Sequence, residues 1–265
     1  MYSKLQLAKK YLQYYLSASN GKGHGVHSPF VFDFIKFVKN DSVQYDCYGP
    51  IEQQRKKLLQ DDRVIEVEDF GAGSSTIKTN TRVVKNIAVS SLKPKKFSQL
   101  LFRIAKYYQP KTILELGTSL GITTSYLASA DAQSKVYTCE GSKNIAAIAK
   151  QTFSDLNIKN IFLTEGDFNA TLPVLLQQLK SIDLAFVDGN HRKAPTLDYF
   201  EQLLQYAHPS TLLIFDDIHW SEEMEEAWHV IQSHPSVTLT IDLFFIGIVC
   251  VDPGIKAKQH FTVRF

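Results

Sequence analysis

The pattern of apolar and polar positions changes character near residue 110. Before it, apolar residues recur at helical spacing. Residues 4–16 and 29–39 read as short amphipathic helices, a third helix is predicted over 50–60, and two more over 81–91 and 95–108. The last of these sets Phe97, Leu101, Ile104 and Tyr108 at helical spacing. Gly21-Lys-Gly-His-Gly-Val-His-Ser-Pro29 breaks the helical pattern and reads as a loop. After Lys111, short continuous apolar runs take over at 112–116, 136–140, 161–164, 182–188 and 211–216. Helical stretches near 121–130, 142–154, 171–180, 195–207 and 221–233 fill the gaps. Continuously apolar strands separated by helices predict a parallel sheet covered on both faces. Residues 237–251 are strand-rich around Gly247, and 261–265 follow with no helix between, which predicts an antiparallel element at the sheet edge. The expected fold is α/β and doubly wound, with a mostly parallel seven-stranded sheet and an antiparallel C-terminal edge. A helical N-terminal cap over 1–110 precedes the sheet domain of 111–265.

Composition narrows the classes. A chain of 265 residues, 44% hydrophobic and 21% charged, suits a globular fold with one large core, and no apolar run is long enough to span a membrane. No secretory signal is expected from the first residues. Cys47, Cys139 and Cys250 are far apart and lack metal-binding spacing, so a reducing cytoplasm fits best. Charge is uneven: residues 1–110 hold 18 Lys/Arg against 9 Asp/Glu, and residues 111–265 hold 11 against 18. Such a basic segment suits either a solvated cap or an anion-facing surface, and the cap is preferred.

The chemistry-bearing residues gather at the ends of the predicted strands. The run Leu114-Glu-Leu-Gly-Thr-Ser-Leu-Gly121 is a strand, a glycine-rich turn and a helix start, the geometry that holds nucleotide-like ligands. Glu140 ends the next strand, 25 residues after Glu115, where a carboxylate can accept from both hydroxyls of a ribose. Gly166 and Asp167 follow the third strand, where an acid can meet an adenine edge. A second glycine-rich stretch, Glu68-Asp-Phe-Gly-Ala-Gly-Ser74, has no strand-end acid after it and is read as a structural turn. Asp188 and Asp216 end the fourth and fifth strands 28 residues apart, and Asp217 follows at once. Three converging carboxylates repel one another unless a cation or protons intervene, and an all-oxygen set suits Mg²⁺ or another divalent ion. The alternative for Asp188 is a turn cap or a cofactor contact without metal. His191 is a competent base near neutrality, or else orients substrate. His219 and Trp220 are candidate pocket residues, with core packing the alternative for Trp220. His24 and His27 lie in a loop with no ligand company nearby.

The segment 114–121 resembles the first motif of class I S-adenosylmethionine-dependent methyltransferases, and the likeness extends over roughly 110–251. It implies a Rossmann-like domain in which the backbone of Gly117, Thr118, Ser119 and Gly121 holds the methionine part of the cofactor. Glu115 would lie beneath the amino group, Glu140 at the ribose, and Gly166 and Asp167 at the adenine. The second constellation is similar to that of metal-dependent small-molecule O-methyltransferases of the catechol and caffeoyl-coenzyme A types. Those carry Asp-Asn where this chain has Asp216-Asp217, a pair that looks like the macrolide-sugar enzymes. Catechol-type enzymes also place a lysine base where this chain has His191.

The expected activity is S-adenosylmethionine-dependent O-methylation of a small hydroxylated metabolite, Mg²⁺-assisted, with Asp188 and His191 as catalytic residues and Asp188, Asp216 and Asp217 as metal ligands. A tRNA or other macromolecular acceptor ranks below a small molecule, because the basic segment lacks an aromatic-and-basic recognition motif. A nicotinamide-dependent oxidoreductase would share the fold but prefers a third glycine in the turn. A non-catalytic nucleotide-binding module is the remaining alternative. A homodimer is compatible with the sequence.

Overall fold

The computed structural model describes residues 1–18, 21, 27–68 and 80–265. The second glycine-rich stretch, from residue 69 on, and His24 lie outside the described residues. Along the chain, α1 (Lys4–Ser17) and α2 (Pro29–Asp33) come first, the latter running into a π-helical turn, Phe34–Lys39. Then come α3 (Tyr48–Leu58), β1 (Val64–Glu66), β2 (Thr81–Val83), α4 (Val84–Ser91) and α5 (Lys95–Tyr108). The alternating part runs β3 (Thr112–Leu116), α6 (Ile122–Ser129), β4 (Lys135–Glu140), α7 (Lys143–Asp155), β5 (Ile161–Glu165) and α8 (Phe168–Leu179). It continues through β6 (Ile182–Val187), α9 (Lys193–Leu204), β7 (Ala207–Asp216) and α10 (Glu222–Ser233). The end is β8 (Leu239–Asp242), β9 (Ile246–Cys250) and β10 (Gln259–Thr262).

The main sheet has the order β10-β8-β9-β7-β6-β3-β4-β5. It is mostly parallel, as the unbroken apolar strands predict. It holds eight strands rather than seven, because 237–251 folds as two strands and β10 adds a third beyond them. The antiparallel strand is β9, which pairs with both β7 and β8, while β10 runs parallel to β8.

The chain forms two compact units: Met1–Asp41 with Lys180–Phe265, and Ser42–Leu179. The helices before residue 110 are divided between them. In the first unit, α1 begins at a capping box in which Ser3 accepts from the Gln6 amide and Gln6 from the Ser3 amide. Its Tyr14 and Ala18 are buried with Phe244, and Leu7, Tyr11 and Phe245 pack around them. The Tyr14 hydroxyl donates to the Val263 carbonyl at 2.5 Å, which ties α1 to the C-terminal segment.

In the second unit, β3, β4 and β5 run parallel with their carboxyl ends in step, Leu116 opposite Cys139 and Glu140 opposite Glu165. Residues 81–83, expected to open a helix, are instead a strand paired antiparallel with Val64–Glu66. Helix begins only at Val84. Thr81 and Val83 are β-branched and favour the extended chain, but strands of three residues are too short to show an alternation. The segment 29–39 likewise divides, turning from α to π at Phe34, which brings Phe34, Ile35 and Val38 into the core.

Candidate active site

The glycine-rich turn of the second unit is built by left-handed backbone at three of five positions: Gly117 (φ 104°), Ser119 (φ 48°) and Gly121 (φ 83°). The amides of Gly117 and Thr118 both donate to the Cys139 carbonyl, at 3.0 and 3.2 Å, which folds the turn across the end of β4. Gly121 has a second reason to be glycine. A Cβ there would lie 2.6 Å from Phe153 Cε1 and 3.3 Å from Ala149 Cα, so the turn sits tightly against α7.

Glu140 is held by this turn. Its Oε2 accepts from the Ser119 amide at 2.8 Å and its Oε1 from the Ser142 amide at 3.0 Å. Glu115 is completely buried beneath the turn. Its Oε2 accepts from the hydroxyls of Thr124 (2.5 Å) and Thr138 (2.6 Å), and Thr138 is 2.6 Å from Thr118 Oγ1. Burial pushes the Glu115 carboxyl up to about 7 against the pull of those two hydroxyls. Its Oε1 is buried with no hydrogen-bond partner among the described residues, which leaves a buried acceptor for a donor that they do not supply. That fits a cofactor with a cationic amino group. Gly166 (φ 130°) donates to the Glu140 carbonyl at 2.9 Å. Asp167 caps α8 by accepting from the Asn169 amide at 3.0 Å.

The first unit carries the second constellation. The parallel pairing of β6 with β7 sets Val187 opposite Phe215, so Asp188 and Asp216 emerge at neighbouring strand ends. Asp188, His191 and Asp216 each offer one donor atom, and these atoms lie within 4.8 Å of one another. Left-handed Asn190 (φ 54°) turns the chain back here, and its side chain is fixed by Arg192 Nε at 2.9 Å and by the Tyr199 hydroxyl at 3.3 Å. His191 Nε2 thereby stands 3.7 Å from Asp188 Oδ1. Asp217, the third expected carboxylate, is not one of the three. Its backbone is left-handed (φ 54°) and its amide donates to the Phe245 carbonyl at 2.6 Å. The cluster is two carboxylates and an imidazole, not three carboxylates.

His219 belongs to a different arrangement, one that the sequence did not reveal. Its Nδ1 is 3.0 Å from Glu225 Oε1 and its Nε2 2.8 Å from Asp242 Oδ2, and the ring stacks on Phe244 at 5.1 Å. Burial alone would lower the imidazole pKa, but the two carboxylates outweigh it and raise the value. Glu225 also accepts from Lys10 Nζ (2.8 Å) and the Tyr2 hydroxyl (2.7 Å), and its carboxyl is lowered by these partners against its own desolvation. Glu225 carries a faint sequence signal, as one of three acids in the first turn of α10. Asp242, Lys10 and Tyr2 carry none. The Tyr2 amide donates to the Trp220 carbonyl, and His27 is exposed.

Residues 114–218 match the family model described as a methyltransferase domain. A catechol O-methyltransferase of Niastella koreensis is 30% identical over 145 residues, 53% of this chain and 63% of that protein's length. Among solved structures, a methyltransferase of Podospora anserina bound to S-adenosylhomocysteine superimposes with a TM-score of 0.60 at 13% identity, covering 95% of this chain and 98% of that one. The Streptomyces achromogenes O-methyltransferase involved in tomaymycin synthesis, in complex with S-adenosylmethionine, gives 0.57 at 16% identity over 79% and 91%. A Bacillus cereus O-methyltransferase with S-adenosylhomocysteine gives 0.51 at 20% identity over 81% and 95%.

Proposed function

We propose that this protein transfers the methyl group of S-adenosylmethionine to an oxygen of a small hydroxylated acceptor, assisted by a divalent cation. The observation that carries the donor side is the Glu140 carboxylate, held on both oxygens by backbone amides beside a left-handed glycine turn. A carboxylate oxygen accepts more than one hydrogen bond, which suits it to the hydroxyls of a ribose. The buried, unsatisfied Oε1 of Glu115 suits the amino group, and Gly166 and Asp167 suit the adenine side. The methyl group is already activated by its sulfonium, so the chain's task is alignment and removal of water.

A small acceptor is supported by the catechol O-methyltransferase relative and by the neighbour from tomaymycin synthesis. Asp188 and Asp216 are the groups that would hold the cation, whose chemistry is to lower the hydroxyl pKa and fix its approach. Asp217 is not one of the three residues of that cluster and is not assigned to the ion. The helical region 1–110 is proposed as a cap acting on the acceptor, because α1 is tied through Glu225 and His219 to the loop after Asp216. No helix among the described residues is long and apolar enough to cross a membrane. The three free thiols support a reducing cytoplasm as the working compartment.

Calorimetry and an acceptor panel test this reading. S-adenosylhomocysteine should bind, and catechols or other hydroxylated small molecules should be methylated. Binding of NADH without S-adenosylhomocysteine would overturn it in favour of an oxidoreductase. Transfer to tRNA but to no small molecule would replace the acceptor class.

A further inference from the structure

We propose that His191 is a direct ligand of the cation, and that the site therefore selects a first-row transition ion, Mn²⁺ through Zn²⁺, over Mg²⁺. This rests on the ion-assisted reading of the same cluster and specifies it.

Two other histidines close on a carboxylate to hydrogen-bond distance, His208 on Asp183 and His219 on Asp242 at 2.8 Å each, while His234 Nε2 lies 3.6 Å from Glu201 Oε1. His191 Nε2 stands off from Asp188 Oδ1 at 3.7 Å, beyond hydrogen-bond reach. Two ligands of one ion, each about 2.1 Å from it, lie about 3 Å apart at a right angle and about 4.2 Å apart when opposed. The 3.7 Å separation falls inside that interval, and the full set of Asp188, His191 and Asp216 donors closes within 4.8 Å.

The local backbone explains why the imidazole takes the third place. Left-handed Asn190, braced by Arg192 and Tyr199, returns the chain so that His191 faces back on Asp188. Left-handed Asp217 hands its amide to Phe245, and its carboxylate is not among the three. The donor set thus loses one hard oxygen and gains one imidazole nitrogen. Mg²⁺ prefers oxygen and water, whereas imidazole suits Fe²⁺, Ni²⁺, Cu²⁺ and Zn²⁺, and affinity for a mixed nitrogen and oxygen site rises from Mn²⁺ along the first row. Ion binding and proton abstraction compete for the same ring nitrogen, and His191 is assigned to the ion.

The experiment uses the full chain stripped of metal by chelator, with no acceptor or cofactor present. Co²⁺ binding is read from its visible absorption, Mn²⁺ from paramagnetic resonance, and Mg²⁺ from competition against Mn²⁺. The expected result is one tight site, with Mg²⁺ displacing Mn²⁺ only at a hundredfold or greater excess. His191→Ala should weaken Co²⁺ and Mn²⁺ at least tenfold and alter the Co²⁺ spectrum, while Mg²⁺ affinity changes less than threefold. His191→Gln, with circular dichroism as the folding control, should behave the same way. Asp216→Asn should abolish binding of all three ions. If His191→Ala and His191→Gln leave the Co²⁺ spectrum and affinity unchanged while Asp216→Asn abolishes both, the ion is held without His191 and the proposal fails. If no ion binds the intact protein while S-adenosylhomocysteine does, both this proposal and ion assistance fall, and the methyltransferase reading stands.

Discussion

The Ser119 amide donates to Glu140 Oε2 at 2.8 Å while Ser119 itself sits at a left-handed φ of 48°. The glycine-rich turn is therefore tied to the end of β4 by the carboxylate proposed to hold the ribose. Removing that carboxylate should act twice, deleting two ligand hydrogen bonds and releasing the turn. Glu140→Ala is expected to weaken S-adenosylhomocysteine by about 1–3 kcal/mol, the cost of lost charged hydrogen bonds. Calorimetry checks this, and an unchanged affinity would take Glu140 out of the site.

Gly121 is constrained by both backbone and space. A side chain there meets the left-handed region, which costs about 1–2 kcal/mol, and Phe153 Cε1 at 2.6 Å. Overpacking of that kind adds about 1–3 kcal/mol. Gly121→Ala should lower the melting temperature and weaken cofactor binding together. Gly49→Ala, at a position where a Cβ meets nothing within 4 Å, is the control.

Glu115 should make stability depend on pH. Its folded pKa of about 7 lies above the unfolded value near 4.5, chiefly because burial disfavours the carboxylate. The folded state then holds the proton more tightly, so stability falls as pH rises from about 4.5 and levels off above about 7. The full effect is on the order of 3 kcal/mol. Glu115→Gln should remove it, since an amide carbonyl still accepts from Thr124 and Thr138. Urea melts of both proteins at pH 5 and pH 8 should show the variant gaining relative stability at the higher pH. Parallel curves would show that Glu115 does not titrate in that window.

The buried strands were legible because parallel strands covered on both faces read as unbroken apolar runs, as in Leu114, Leu116, Phe186, Ile214 and Phe215. Gly117, Gly141 and Gly189 mark where three of these strands stop, beside Glu115, Glu140 and Asp188, whereas Asp216 is read from the end of its apolar run alone. Adjacency in sequence does not tell the two aspartates apart: Asp216 stands in the cluster, whereas Asp217 has a left-handed φ and is not one of its three members, and nothing in the letters Asp-Asp says which is which. The same backbone effect at Asn190 brought His191 into the cluster. The carboxylates around His219 were invisible for another reason. Asp242 is 23 residues away and reaches the ring only through the pairing of β8 beside β9, a strand order that local periodicity does not encode.

The network joining α1 to His219 should matter below neutrality. His219 has a raised folded pKa, so its contribution is complete below the unfolded value near 6.5 and is lost as pH rises through the folded one. Glu225 has a lowered pKa, so its contribution holds above about 4.5 and fades as pH falls. The contacts are therefore strongest between about pH 5 and 6.5. Lys10→Ala with Tyr2→Phe removes two of Glu225's partners, half-buried pairs still screened by solvent and worth about 0.2–1 kcal/mol each. Turnover should fall more than cofactor affinity if α1 serves the acceptor. Equal loss of both would reduce α1 to a general stabilising element.

The sharpest separation of donor and acceptor roles comes from Asp216. It is buried at the end of β7, in the cluster with Asp188 and His191. Its proposed ion serves the acceptor's hydroxyl, so Asp216→Ala should lower turnover at least a hundredfold while S-adenosylhomocysteine affinity stays within about threefold, a loss of roughly 3 kcal/mol or more confined to the transition state. Excess chelator should mimic the variant in the wild-type protein, and added Mn²⁺ should restore the wild type but not the variant. Removing Asp216 also relieves its repulsion with the half-buried Asp188, so circular dichroism must confirm that the variant is folded. Undiminished transfer in chelator would rule the ion out of the reaction, and His191 would then return as the base that takes the hydroxyl proton.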